Sequence, residues 1–141
     1  MNILRIKTDA STKPNVGFTI AYECNIHSNE GSIKKFSGSK FNDKQIKSTQ
    51  AEVLGVAFGI TESFKRFDKD PENFQIAIES DCQYAVDVYN KHKIKNEKLR
   101  KVAYPLLNKF DCWRVNWIPR KLNKRTNDLA RERLRRAEDG L

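Results

Sequence analysis

Four acidic residues fall where chain elements should begin or end: Asp9, Glu52, Asp81 and Asp128. Each has an ordinary explanation of its own. Asp9 suits an Asx turn, Glu52 completes a Thr49-x-x-Glu52 capping box, Asp81 fits an N-cap, and Asp128 sits favourably against a helix dipole. Brought to one place they would do more, because crowded carboxylates repel one another unless divalent cations neutralise them. Oxygen-only donors select Mg2+ or Mn2+ rather than zinc, and two such ions suit phosphodiester hydrolysis. The charge distribution offers a way to hold a phosphate substrate. Residues 1–90 carry 11 basic and 12 acidic side chains and residues 91–141 carry 16 and 6, so the whole net charge of +9 arises in the last third. A segregated basic region points to a polyanion partner, most often nucleic acid.

The elements that must position these residues follow from hydrophobic period. Val16, Phe18, Ile20 and Tyr22 alternate with Gly17, Thr19, Ala21 and Glu23, as in a strand with one buried face. A weaker strand over residues 3–8 should pair with it through the turn-rich segment 9–15, and a poorly patterned third strand near residues 32–38 belongs at a sheet edge. Ala51, Leu54, Phe58, Thr61 and Phe64 then recur at helical spacing, giving a helix over about 49–67. Phe74, Ile76 and Ile78 predict a buried strand, followed by Asp81 and a helix through Val88. A further helix near 96–110, a strand carrying Trp113, Val115 and Trp117 with both rings in the core, a basic loop over 119–126 and a final helix over 127–137 complete the order. The fold class is therefore α/β, with a five-stranded mixed sheet of three antiparallel strands followed by parallel crossovers, flanked by helices, in a single domain spanning 1–141. Parallel strands bring their carboxyl ends to one edge, where the following helices begin, so all four acids are expected to share a pocket. Gly55 and Gly59, at i+3 and i+7 from Glu52, imply close packing of that helix side.

Four segments resemble the motifs of type 1 ribonuclease H, in order: Thr8-Asp9-Ala10-Ser11, Thr49-Gln50-Ala51-Glu52, Ser80-Asp81-Cys82-Gln83-Tyr84, and Asn123 to Ala130 with Asp128. The resemblance covers residues 3–137. It implies a ribonuclease H-like fold and cleavage of the RNA strand of RNA/DNA hybrids with two Mg2+ (or Mn2+) ions. Asp9, Glu52, Asp81 and Asp128 would be the catalytic and metal-binding carboxylates, Asp9 bridging both ions. Substrate contacts fall by the same resemblance to Ser11, Ser48, Thr49, Gln83, Arg120, Lys121, Lys124 and Arg125. Ser48 and Thr49 replace two Asn found in many members, and the loop 118–125 has no His, with Arg120 there to meet the scissile phosphate as in the archaeal-like and reverse-transcriptase-associated branches. The basic protrusion of longer members is missing between Tyr89 and Asn96, which predicts weak, salt-dependent hybrid binding.

Other classes are poorly supported. The longest uncharged apolar run, 53–60, is far short of the roughly 20 residues of a membrane span. The charged residues 1–7 do not read as a signal peptide, so a cytoplasmic monomer with no membrane or protein partner is expected. Cys24, Cys82 and Cys112 are odd in number and far apart, with no zinc-site spacing. The alternative to an enzyme is a weakly active or inactive nucleic-acid-binding module of the same fold. Proofreading-type exonucleases need an acid two residues after the first Asp, where Ser11 stands.

Overall fold

The structure is a computed structural model and describes residues 2–141. The chain runs β1 (Ile3–Lys13), β2 (Gly17–Ser28), β3 (Gly31–Asn42), α1 (Ser48–Arg66), β4 (Gln75–Ser80), α2 (Gln83–Asn90), α3 (Glu97–Leu107), β5 (Cys112–Trp117) and α4 (Lys124–Asp139). Short 3-10 turns at Pro71–Asn73 and Arg120–Asn123 precede β4 and α4. The strands form one sheet in the order β3-β2-β1-β4-β5, with the first three antiparallel and β4 and β5 parallel to β1. This is the α/β architecture expected from the periodicity. β3 lies at the edge, and its weak pattern follows from exposure along most of its length.

The strands are longer than their hydrophobic patterns. β1 continues through Lys13, so Asp9 sits inside the strand and not in a turn after it, and β2 pairs with it from Ile3↔His27 to Lys13↔Gly17. The turn is confined to residues 14–16, with Asn15 at φ 65° and Gly17 at φ 139°. A side chain at Gly17 would also meet the Asn42 backbone, so glycine is required there twice over. β2 is buried on both faces around Phe18–Tyr22, because the sheet is packed by α1 on one side and by α4 on the other. Small residues Thr19 and Ala21 occupy the α4 side, where Thr19 Oγ1 donates to Ala130 O at 2.6 Å. Alternation of large and small residues thus marks a change of neighbour here and not of solvent.

The main core lies between the sheet and α1–α3, where Leu4, Ile6, Ile26, Ile60, Ile76, Ile78 and Leu107 are almost wholly buried. Each such side chain contributes roughly 1.5–3 kcal/mol on transfer from water. The helix start differs from the Thr49-x-x-Glu52 box: Lys47 N donates to Gln50 Oε1 at 3.0 Å, which leaves Glu52 free for another task. Val115 is buried, but Trp117 is 50% exposed at the end of the edge strand β5, and Trp113 is half-buried. α4 starts at Lys124, three residues before its expected start, because the 3-10 turn after Pro119 leads directly into it.

Candidate active site

Strand register brings the first two acids together. β1 and β4 pair in parallel up to Thr8↔Ser80, and the next residues are Asp9 and Asp81, side by side where β4 leaves the sheet. β1 continues beyond this point, so Asp9 is anchored on its other side by β2 through Ala21. Asp81 precedes the first turn of α2, whose N-cap position is Cys82 and not Asp81; the Ser80 hydroxyl accepts from Cys82 N at 3.1 Å. The side chain of Asp81 is therefore not engaged in capping.

The third acid arrives on α1. Gly55 and Gly59 allow that helix to lie directly on β1: a Cβ at Gly59 would stand 2.7 Å from Thr8 Cγ2, and one at Gly55 3.3 Å from Asp9 O. The close approach lets Glu52 Oε1 accept from Ala10 N at 3.1 Å. Oxygen atoms of Asp9, Glu52 and Asp81 consequently lie within 4.8 Å of one another. Burial, reinforced by the Asp9 and Asp81 charges, pushes the Glu52 carboxyl up to about 9. Asp81 is also raised, by burial first and then by Asp9, while the Asn123 amide and the Arg120 guanidinium oppose the shift.

These residues fit a hard divalent cation. Glu52 Oε2 and Asp81 Oδ2 are buried without a hydrogen-bond partner among the described residues, which is costly for acidic oxygens unless a cation or water meets them. The donor set is all carboxylate oxygen, with no sulfur or imidazole among the grouped atoms, which favours Mg2+ or Mn2+.

Asp128 does not join this group. It is exposed on α4, beside Arg125, Leu129, Arg131, Glu132 and Arg135. The residue that reaches Asp9 is its neighbour Asn127, 6% exposed, whose Nδ2 donates to Asp9 Oδ2 at 2.6 Å. Asn123, 1% exposed, donates through Nδ2 to Thr8 O at 2.9 Å. With α4 beginning at Lys124, Asn123 and Asn127 stand four residues apart on one face and Asp128 is turned about 100° away. The expectation of Asp128 in the pocket is thus corrected by the phase of the helix, which turns Asn127 to Asp9. The Asn-x-x-x-Asn spacing was the available signal for both amides.

The residues expected to meet substrate are dispersed around this centre. Ser11 is half-buried on β1 two residues past Asp9, and Ser48 and Thr49 are exposed in the first turn of α1. Gln83 is exposed in the first turn of α2, where its amide donates to Asp87 at 2.9 Å. Arg120 is exposed and close enough to Asp81 for its charge to oppose the rise of that carboxyl's pKa. Lys121 and Lys124 are exposed, while Arg125 is also exposed but pairs with Glu23 at 3.3 Å. Trp117, expected in the core, belongs to the rim: its Nε1–H donates to Asp81 O at 3.1 Å. His92 stacks on Tyr104, with ring centroids 4.5 Å apart.

A comparison with curated proteins gives no match. Among solved structures, the chain is similar to RNase H1 from the halophilic archaeon Halobacterium salinarum, with 22% identity, 99% of each chain covered and a TM-score of 0.68. It is similar to the N-terminal RNase H domain of a Mycobacterium tuberculosis protein at 18% identity, 99% coverage of each chain and a TM-score of 0.71. LC11-RNase H1, isolated from compost by a metagenomic approach, matches at 20% identity over 97% of this chain and 99% of that one, with a TM-score of 0.72. Such likenesses show a shared ribonuclease H fold. A family model described as reverse transcriptase-like matches residues 24–133, and on that span the chain belongs to the reverse transcriptase-like, ribonuclease H-like family.

Proposed function

We propose that the protein is a divalent-metal-dependent endoribonuclease that cuts the RNA strand of RNA/DNA hybrids. The observation that carries this reading is the convergence of Asp9, Glu52 and Asp81 where β4 ends beside the middle of β1, with buried oxygens on Glu52 and Asp81 that lack hydrogen-bond partners among the described residues. Asp9, Glu52 and Asp81 would hold the cations. Bound Mg2+ or Mn2+ would supply activation of a water and neutralisation of charge at the scissile phosphate. A structure of LC11-RNase H1, to which the chain is 16% identical with a TM-score of 0.67, is of a complex with RNA/DNA hybrid.

The protein's own residues have separable tasks. Asp9 is held within β1 by pairing with Ala21 of β2, while Glu52 is oriented by Ala10 N and Asp81 by the strand end it follows. Arg120, standing near Asp81, would meet the negative charge of the phosphate, and Trp117 ties its ring to the Asp81 backbone carbonyl. The exposed residues Ser48, Thr49, Gln83, Lys121, Lys124 and Arg125 would line the approach of the hybrid, with Ser11 near its edge. Phosphate contacts of this kind hold register and make binding sensitive to salt.

The test is cleavage of an end-labelled RNA/DNA hybrid with Mg2+ and, separately, Mn2+, with EDTA and Asp9→Asn as controls and single-stranded and double-stranded RNA alongside. Metal-dependent cutting of the hybrid's RNA strand, abolished in both controls, is expected. Tight hybrid binding without cutting under either metal would instead make the protein a binding module of the same fold.

A further inference from the structure

A fourth acid was expected on α4, yet the buried position that faces Asp9 carries an amide. We propose that Asn127, and not Asp128, is the fourth residue of this site, holding Asp9 by hydrogen bond and leaving the centre one negative charge short of a four-carboxylate set. The proposal deepens the nuclease reading and rests on it for the identity of the cation.

Asn127 is tied to the site by contact and by its surroundings. Its Nδ2 lies 2.6 Å from Asp9 Oδ2, and because a carboxylate only accepts, the amide must present its N–H there. Its position is fixed from several directions. Thr126 Oγ1 donates to Glu23 at 2.6 Å, Thr19 Oγ1 donates to Ala130 O at 2.6 Å, and Lys7 Nζ donates to Leu122 O at 2.8 Å just before the helix. These contacts prevent α4 from turning to bring Asp128 inward. A second, independent observation points to a ligand at the same place: Asn123 Oδ1 is buried without a partner among the described residues, like Glu52 Oε2 and Asp81 Oδ2.

Two consequences follow from an amide in this position. The Asp9 oxygen that faces Asn127 is held by a donor, so Asp9 keeps one orientation before any cation arrives. A site with fewer charges binds divalent cations less tightly, because ligand charge count sets affinity in all-oxygen sites. Asn127 is therefore a positioning residue for Asp9 that also tunes metal affinity.

The test uses Mn2+ alone as probe, its binding followed by electron paramagnetic resonance on the full chain, together with the melting temperature in EDTA. Asn127→Asp should tighten Mn2+ binding about tenfold, as expected for an added charge beside the site, and should lower the metal-free melting temperature by several degrees through repulsion of Asp9. Asn127→Ala should weaken Mn2+ binding severalfold, and Asp128→Asn should change neither measurement. The proposal is overturned if Asn127→Asp binds Mn2+ as the parent does, if Asp128→Asn weakens Mn2+ binding, or if no variant binds Mn2+ at all. Hybrid cleavage is read separately. Parent protein that cuts hybrid while Asn127→Asp is silent would remove this assignment and leave the nuclease reading in place; the expected Mn2+ responses without cutting would do the reverse.

Discussion

Glu52→Gln should stabilise the metal-free protein at alkaline pH. Glu52 is half-buried among Asp9 and Asp81, and its carboxyl rises from the ordinary 4.5 to about 9. A folded-state pKa above the unfolded value means that the folded chain binds the extra proton. Stability is therefore fully present below about 4.5 and declines as pH rises towards 9. At ~1.4 kcal/mol per pKa unit the full shift would correspond to ~6 kcal/mol. Partial solvent screening and the mutual dependence of neighbouring ionisations reduce this to about 2 kcal/mol at pH 8. For a chain of this size that is about 8 °C in melting temperature. Glutamine keeps an acceptor for Ala10 N and carries no charge, so the variant should escape the decline. The assay is calorimetry in EDTA from pH 5 to pH 9, comparing parent and variant. The two should melt alike near pH 5 and diverge steadily above it, and Mg2+ should restore the parent more than the variant. Parallel curves across that range would refute the claim that the three carboxylates repel one another in one pocket.

Three other expectations are open to direct measurement. Gly59→Leu should lower stability by about 3 kcal/mol and hybrid cleavage with it, because the new side chain would displace Thr8 and Ile6 beside the acids; an unchanged melting temperature would show that α1 does not lie on β1. Arg120→Ala should weaken cleavage about tenfold while leaving the melting temperature within about 1 °C, since the side chain is exposed; kinetics and calorimetry on one preparation decide it. Hybrid affinity, measured by fluorescence anisotropy, should fall steeply and linearly on a log–log plot against salt, and Lys121→Ala with Lys124→Ala should reduce the slope by about 1–2.

Much of this architecture was legible because period and propensity agree. The alternation around Phe18 and Ile20, the helical spacing of Ala51, Leu54 and Phe58, and the buried run Ile76–Ile78 each determine an element, and their order gives the mixed sheet. Two glycines next to Glu52 foretold the close packing of α1 because a glycine in a helix interior needs a steric reason. The length of β1 was hidden, since Asp9, Ser11 and Lys13 look like turn residues and are held in the strand only by pairing with β2. Trp117 misled because alternation gives the face of a strand but not the extent of its cover. The start of α4 was obscured by the basic residues after Pro119, and its phase turns Asn127 and not Asp128 to Asp9. An acid beside an amide in sequence cannot be ranked without knowing the helix phase, and polar contacts to Thr8, Thr19 and Glu23 set that phase.

The proposed function rests on Asp9, Glu52 and Asp81 forming a divalent-cation site. Anomalous diffraction from crystals soaked in Mn2+ tests it most directly. Mn2+ density in contact with carboxylate oxygens of Asp9, Glu52 and Asp81 is expected, lost in Asp9→Asn, with Asp128 uninvolved. Ordered Mn2+ at Asp128, or a vacant carboxylate cluster at saturating Mn2+ in protein shown to be folded, would contradict it.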